Sequence, residues 1–303
     1  MALNVSTLTG YVEEKKTGLI RKAVIESRSA REMNLMTGIK GATALNLLNT
    51  TVVFGDGSSC GWNEAGTSEV TKRILTPGYV KVNMSFCDKT LLNTWMNYDV
   101  RLAAGQKTLP FEEDFINDVI AGVGAKLEKL IWTGDKSSSD AFDGLVKIIE
   151  AASAPKYTYT SSDSVASIVS GVYGKLKSEV FEKGDVVMFM GADMYRKYIQ
   201  ELIANGNLVL NAGSGAVLDG IAMPAQMLIP GTNVTVIPVT GLDGTGKLFA
   251  SYRDNFVYGV DMASDSEQFD FWYSQDNREF RLAIEFGAGV QCAYPDLIVE
   301  GSL

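Results

Sequence analysis

The chain of 303 residues contains no histidine. Histidine is the usual general base near neutral pH and the commonest metal ligand. Its absence excludes a Ser-His-Asp or Cys-His catalytic arrangement and every histidine-bearing metal motif, while carboxylate or lysine chemistry remains open. Cysteine is scarce: Cys60, Cys87 and Cys292 lie far apart, are odd in number and form no CxxC. Neither a zinc site nor a disulfide framework is indicated, and a reducing compartment fits. No run approaches the ~18 apolar residues of a membrane span. The start, "MALNVSTLTGYVEEKK", lacks the basic region and apolar core of a secretory signal. Positive charge is also in short supply, with 27 Lys and Arg against 36 Asp and Glu and a net charge of -9. Such a chain is poorly suited to gripping phosphate backbones over its whole surface.

What is present is ordinary globular material, 46% hydrophobic and 21% charged, long enough for one large domain or two modest ones. Residues 11–40 read as an interrupted basic helix or arm, in which seven Lys and Arg face four Glu. It is either a solvated face or an arm that docks on an acidic partner, which could be another copy of the chain. A β-like region follows. "ALNLLNTTVVF" leads to the polar, glycine-rich "GDGSSCGWNEAGTSE" and then to "VTKRILTPGYVKVNMSF", whose apolar residues include a period-2 set. The pattern predicts an extended hairpin whose tip has too few apolar residues for a core of its own.

The segment "FEEDFINDVIAGVGAKLEKLIWTGD" is the strongest helical signal. Phe111, Phe115, Ile116, Val119, Ile120, Val123, Leu127, Leu130 and Ile131 recur at spacings of three and four and form one stripe. Pro110 and three acidic residues suit the start, Lys126 and Lys129 suit the last turns, and Gly134 suits the end. Gly122 and Gly124 weaken the centre by about 1 kcal/mol each, and the expected compensation is close approach of another backbone. After it, helices and strands alternate irregularly before a strand-rich tail, an α+β pattern.

Of the short motifs, "GLDGTGKL" (241–248) mimics a phosphate loop, but Leu248 stands where Ser or Thr should hold magnesium. The following "LFASYRDNFVYG" reads as a strand, not the helix whose N-terminus receives phosphate. A strand–turn–strand connection is expected there. No carboxylate pair stands out as an acid/base couple. Trp62, Trp95, Trp132 and Trp272 read as packing residues, and no cofactor is indicated.

The order of parts, with "ILTPGYVKVNMSFCDKTLL" running into the long helix, "VLDGIAMPAQMLIP" in the middle, then "YRDNFVYG" and "YPDLIV", resembles the major capsid protein of tailed phages, the Hong Kong 97 type. The resemblance covers nearly the whole chain. It implies an N-terminal arm (1–45), an extended hairpin loop (46–86), a peripheral domain built on a spine helix (87–150 and 255–303) and an axial domain (151–254). It implies a structural protein rather than an enzyme, one that self-assembles as hexamers and pentamers into the icosahedral head shell of a virion. The implied partners are a separate scaffolding protein, a portal protein and packaged double-stranded DNA bound without sequence recognition. The implied place of assembly is the bacterial host cytoplasm, with no membrane. Contacts between subunits would fall on Arg21, Lys22, Trp62, Glu64, Lys72 and Arg73. Relatives that cross-link would use a loop lysine, Lys72 or Lys81, with Asn277 and the proton acceptor Glu285. An encapsulin-like shell around cargo enzymes shares the fold, and a soluble α+β enzyme is the further alternative.

Overall fold

The computed structural model describes residues 18–19, 22, 24–25, 27–51, 53–54, 66–87, 111–138, 140–206, 217–218, 221–222, 227–261, 268–277 and 279–303. The first element described in full is a short helix, α1 (Arg28–Glu32), capped by the Ser27 side chain, followed by a strand, β1 (Asn34–Thr37). Strands β2 (Thr43–Thr51), β3 (Thr67–Leu75) and β4 (Gly78–Cys87) precede the spine helix, α2 (Phe111–Thr133). Next come α3 (Leu145–Ala151), β5 (Lys156–Thr158), α4 (Val165–Gly174), α5 (Ser178–Lys183), β6 (Val186–Gly191) and α6 (Ala192–Ala204). The short strands β7 (Val217–Leu218), β8 (Ile221–Ala222) and β9 (Met227–Leu228) follow, then β10 (Thr235–Val239), β11 (Leu248–Tyr252), β12 (Phe256–Val260), β13 (Gln268–Ser274), β14 (Glu279–Cys292) and β15 (Val299–Ser302).

Two larger sheets organise these parts. One has five strands in the order β1-β12-β14-β13, with β4 also paired to β14 along Glu279–Ala288. The other has six, in the order β5-β15-β11-β6-β10-β9. Side-chain alternation along the six-stranded sheet separates two cores. Val187, Phe189, Ile237, Val239 and Phe249 point to the side of the spine helix, whereas Met188, Met190, Val236, Leu248 and Ala250 point to α4 and α6. Strands β6, β11 and β12 are buried at every residue, as expected of strands covered on both faces.

The spine helix buries Ile116, Val119, Ile120, Val123, Leu127 and Ile131 of the predicted stripe, leaves Leu130 half-buried, and adds Trp132. The Trp132 ring stacks on Phe249 with centroids 5.7 Å apart and tilts against Phe189 at 5.2 Å. Trp132 is therefore where the helix, the six-stranded sheet and the five-stranded sheet (through Phe256) meet.

Three readings of local elements change in the structure. The paired hairpin is β2 with β3, Thr43 opposite Leu75 and Thr51 opposite Thr67. Past the break at Pro77-Gly78, β4 leaves it for the five-stranded sheet. The run "LFASYRDNFVYGV" is not one strand: a 3-10 turn at Arg253–Asn255 sends β11 to one sheet and β12 to the other. The tail, grouped by sequence with the peripheral part, returns through β15 to the six-stranded sheet between β5 and β11.

Candidate interaction surfaces

The hairpin is the most exposed paired structure among the described residues. On β2, Leu45 and Leu47 turn toward the body, where Leu45 joins the small cluster of Ile39, Leu75 and Val257. Period-2 alternation then sends Ala44, Asn46 and Leu48 outward, with their cross-strand partners Ile74, Lys72 and Val70. Leu48 is 60% exposed, Val70 61% and Ile74 58%. Two directly opposed apolar pairs thus stand in solvent on one face of a two-stranded ribbon, with no second layer over them among the described residues.

The residues expected at subunit contacts divide. Lys72 lies on that outward face. Arg73, one residue on, faces the opposite way and donates from Nη2 to Oε1 of Gln291 at 3.2 Å. Gln291 in turn donates from Nε2 to the Ile74 carbonyl at 2.7 Å, so this pair ties the hairpin base to β14. Lys22 donates to Asn117 of the spine helix at 2.8 Å. Arg21, Trp62 and Glu64 lie outside the described residues.

Of the cross-linking set, Lys81 and Glu285 are register partners on β4 and β14, their charged groups 2.9 Å apart. Asn277 sits in the turn before β14. The strand from Glu279 to Glu285 alone spans roughly 20 Å, so a single chain does not bring Asn277 to Glu285.

The explanation expected for Gly122 does not hold. It is exposed, and a Cβ built there would meet nothing within 4 Å. Gly122 opens onto a groove of about 650 Å³ between the spine helix and β4, floored by Val82, Phe86, Val123 and Phe286. The close approach occurs elsewhere: a Cβ on Gly241 would fall inside the contact radius of the Glu128 carbonyl oxygen and of the Trp132 ring. Gly241 belongs to the phosphate-loop lookalike, which forms a turn between β10 and β11 as expected. Its Lys247 pairs with Glu150 and lies 3.5 Å from the fully buried Glu300, which also lies 3.2 Å from Lys156. Asp243 accepts from the Ala192 backbone N–H at 2.5 Å and caps α6. The loop's charges are thus engaged by the fold itself.

Sequence reasoning missed the contact that anchors the arm. Glu128 is 3% exposed on the spine helix. Its Oε2 accepts from the Ser29 backbone N–H at 3.0 Å and its Oε1 from Ser29 Oγ at 2.5 Å. Trp132 Nε1 donates to the same Ser29 Oγ at 2.6 Å. Burial pushes the Glu128 carboxyl above its ordinary range, against the Ser29 hydrogen bonds and the nearby Arg28 charge, which pull it down. The signal was present, since Glu128 follows Gly124 by four residues and sits between Leu127 and Ile131 on the buried side of the stripe. Buried Glu32 pairs with Arg253, and Tyr258 donates to the Val24 carbonyl at 3.3 Å. The described part of the arm therefore docks on its own chain.

No protein-family model matches the chain, and no curated protein matches it. Solved structures do. The satellite phage P4 procapsid, solved with its size determination protein, matches at a TM-score of 0.61 and 10% identity, over 95% of this chain and 90% of that one. A virus-like particle from Pyrococcus furiosus matches at 0.55 and 12%, over 95% and 98%. A structure from Gordonia phage Cozz matches at 0.55 and 14%, over 91% and 86%. At such identities the likeness is one of fold, and the fold is the α+β fold of tailed-phage capsid proteins, the Hong Kong 97 type.

Proposed function

We propose that this chain is a tailed-phage major capsid protein that assembles with copies of itself, as hexamers and pentamers, into an icosahedral head shell around the genome. The observation that carries the reading is the hairpin: a ribbon with apolar cross-strand pairs held in solvent makes physical sense if a second subunit covers it. The capsid-type fold over nearly the whole chain supports the same reading. Function is then spread over contact surfaces and needs no pocket chemistry, which agrees with a chain that has no histidine and with the structural use of Lys247. DNA would be enclosed without sequence recognition, given the net charge of -9. A separate scaffolding protein and a portal are the partners this reading adds, the virion is its destination, and the host cytoplasm is its place of assembly. Lys72, on the outward face, is the assigned contact lysine. Lys81, Asn277 and Glu285 could link chains only if different subunits supply them.

The test is electron microscopy and sedimentation of the protein expressed alone and with a scaffolding protein encoded beside it. Closed shells or shell fragments are expected, and they should contain no enzyme cargo, which separates this reading from an encapsulin-like compartment. A protein that stays monomeric in both settings overturns the proposal.

A further inference from the structure

Glu128, which anchors the arm, is a buried titratable group that the proposed assembly does not use. It is buried on the spine helix, accepts two hydrogen bonds from Ser29 of α1, and is also drawn down by the side chain of Ser27, which caps that helix. It also lines an open cleft of about 380 Å³ between the arm, the spine helix and α6, through which it can exchange a proton with solvent. We infer that Ser29, Glu128 and Trp132 form a proton-operated latch that docks the N-terminal arm on the spine helix, tighter when Glu128 carries its proton and looser when it is ionised. The inference concerns the subunit and stands whatever the subunits build.

The geometry makes the two states unequal. All three components are buried, Ser29 and Trp132 fully. In the ionised state Ser29 supplies two donors to the carboxylate, the Ser27 hydroxyl adds a weaker one, and the indole N–H reaches it only through Ser29 Oγ. A buried carboxylate costs more than these hydrogen bonds return, in line with the direction in which burial moves this group. In the neutral state one oxygen still accepts from the Ser29 N–H, and the 2.5 Å oxygen–oxygen bridge persists with either atom donating. Protonation therefore removes the buried charge and keeps the contact.

The other groups around Glu128 do not reverse this. Arg28 of α1 acts on Glu128 and opposes the burial effect without overcoming it. Tyr195 and Arg196 of α6 line the same cleft, and Arg196 donates from Nε to the Ala192 carbonyl at 3.2 Å. Tyr258 of β12 lies on the buried side, is neutral, and is held far above the ordinary phenol range by burial and by the Glu128 charge. If the arm lifts, Glu128 meets water and returns to the ordinary carboxylate range. The docked arm then binds the proton more tightly than the lifted arm does. Docking is strongest below the ordinary carboxylate range and weakens as pH rises toward the raised value.

Hydrogen exchange of the full-length chain tests this, read on the segment 27–33 and corrected for intrinsic exchange, with 145–151 as the internal control. In the parent, protection of 27–33 relative to the control should fall as pH rises through that window, by at most about tenfold per pH unit, the slope for one proton. Glu128→Gln keeps an acceptor for the Ser29 N–H and carries no charge, so its profile should be flat and no less protected than the parent at neutral pH. Ser29→Ala removes the hydroxyl bridge and should lower protection at every pH with the slope retained. A parent profile that tracks the control overturns the latch, as does a slope that survives in Glu128→Gln. If Glu128→Gln does not fold, the parent profile together with Ser29→Ala still decides, because an unchanged Ser29→Ala profile also overturns it.

Discussion

The trunk around Trp132 and the β2–β3 hairpin are built from the same kinds of residue and live under opposite rules. In the trunk, the six-stranded sheet is covered on both faces and the spine helix closes one of them, so apolar side chains find partners within the chain. In the hairpin, one face reaches the body through Leu45, Leu47 and Leu75, while Leu48, Val70 and Ile74 have solvent before them. A two-stranded ribbon has one layer too few to bury both faces. The trunk is thus closed within the chain, and the hairpin's outward face is not closed by any of the described residues.

That contrast can be broken most sharply in the trunk. Trp132→Ala empties the junction of helix and sheets and should cost about 3–5 kcal/mol, seen as a large drop in Tm or as failure to fold. A variant that melts within a few degrees of the parent would mean that the junction carries little. Gly241→Ala places a Cβ against the Glu128 carbonyl and the indole ring, so the turn must move off the spine helix. A loss of about 1–3 kcal/mol is expected, and a neutral result in denaturant unfolding would refute the close approach.

Gly122→Ala should act in the other direction. It adds up to about 1 kcal/mol of helix propensity and meets no obstacle, so the subunit should melt slightly higher. Melting below the parent would mean that something approaches this position after all. The smallest effect on the subunit is expected in the hairpin. Leu48→Asp with Val70→Asp changes exposed positions and should move unfolding stability by no more than about 0.5 kcal/mol at each. Under the proposed function the same double variant should fail to form shells by sedimentation. If it unfolds the subunit, the hairpin face belongs to the core. If it assembles normally, that face is not where subunits meet.

Much of this contrast was legible in the chain. The spacing from Ile116 to Ile131 marked the spine helix and its buried face, because a helix of ~1.5 Å rise per residue returns side chains to one side every three or four positions. Phe269, Phe271 and the Asp276-Asn277 turn announced the β13–β14 hairpin for the corresponding period-2 reason. The split of "LFASYRDNFVYGV" between two sheets was not legible in the run's own pattern, which reads as one strand, although the resemblance divided the chain at 254/255. It depends on Asn255, which bridges Ser251 and the Tyr294 backbone from far along the chain.

The sequence by itself determined the elements, the faces they bury, and the chemistry ruled out by having no histidine, since these follow from local periodicity and residue type. Only the tertiary structure decided what lies against each face. A glycine in a helix marks space without saying whether a backbone or an open groove fills it, and the groove beside Gly122 and the contact at Gly241 exchanged the expected roles. A carboxylate on an apolar stripe marks a cost without naming its partner. Ser29 is 99 residues away from Glu128, and only the fold that seats the arm on the spine helix brings that donor to that acceptor.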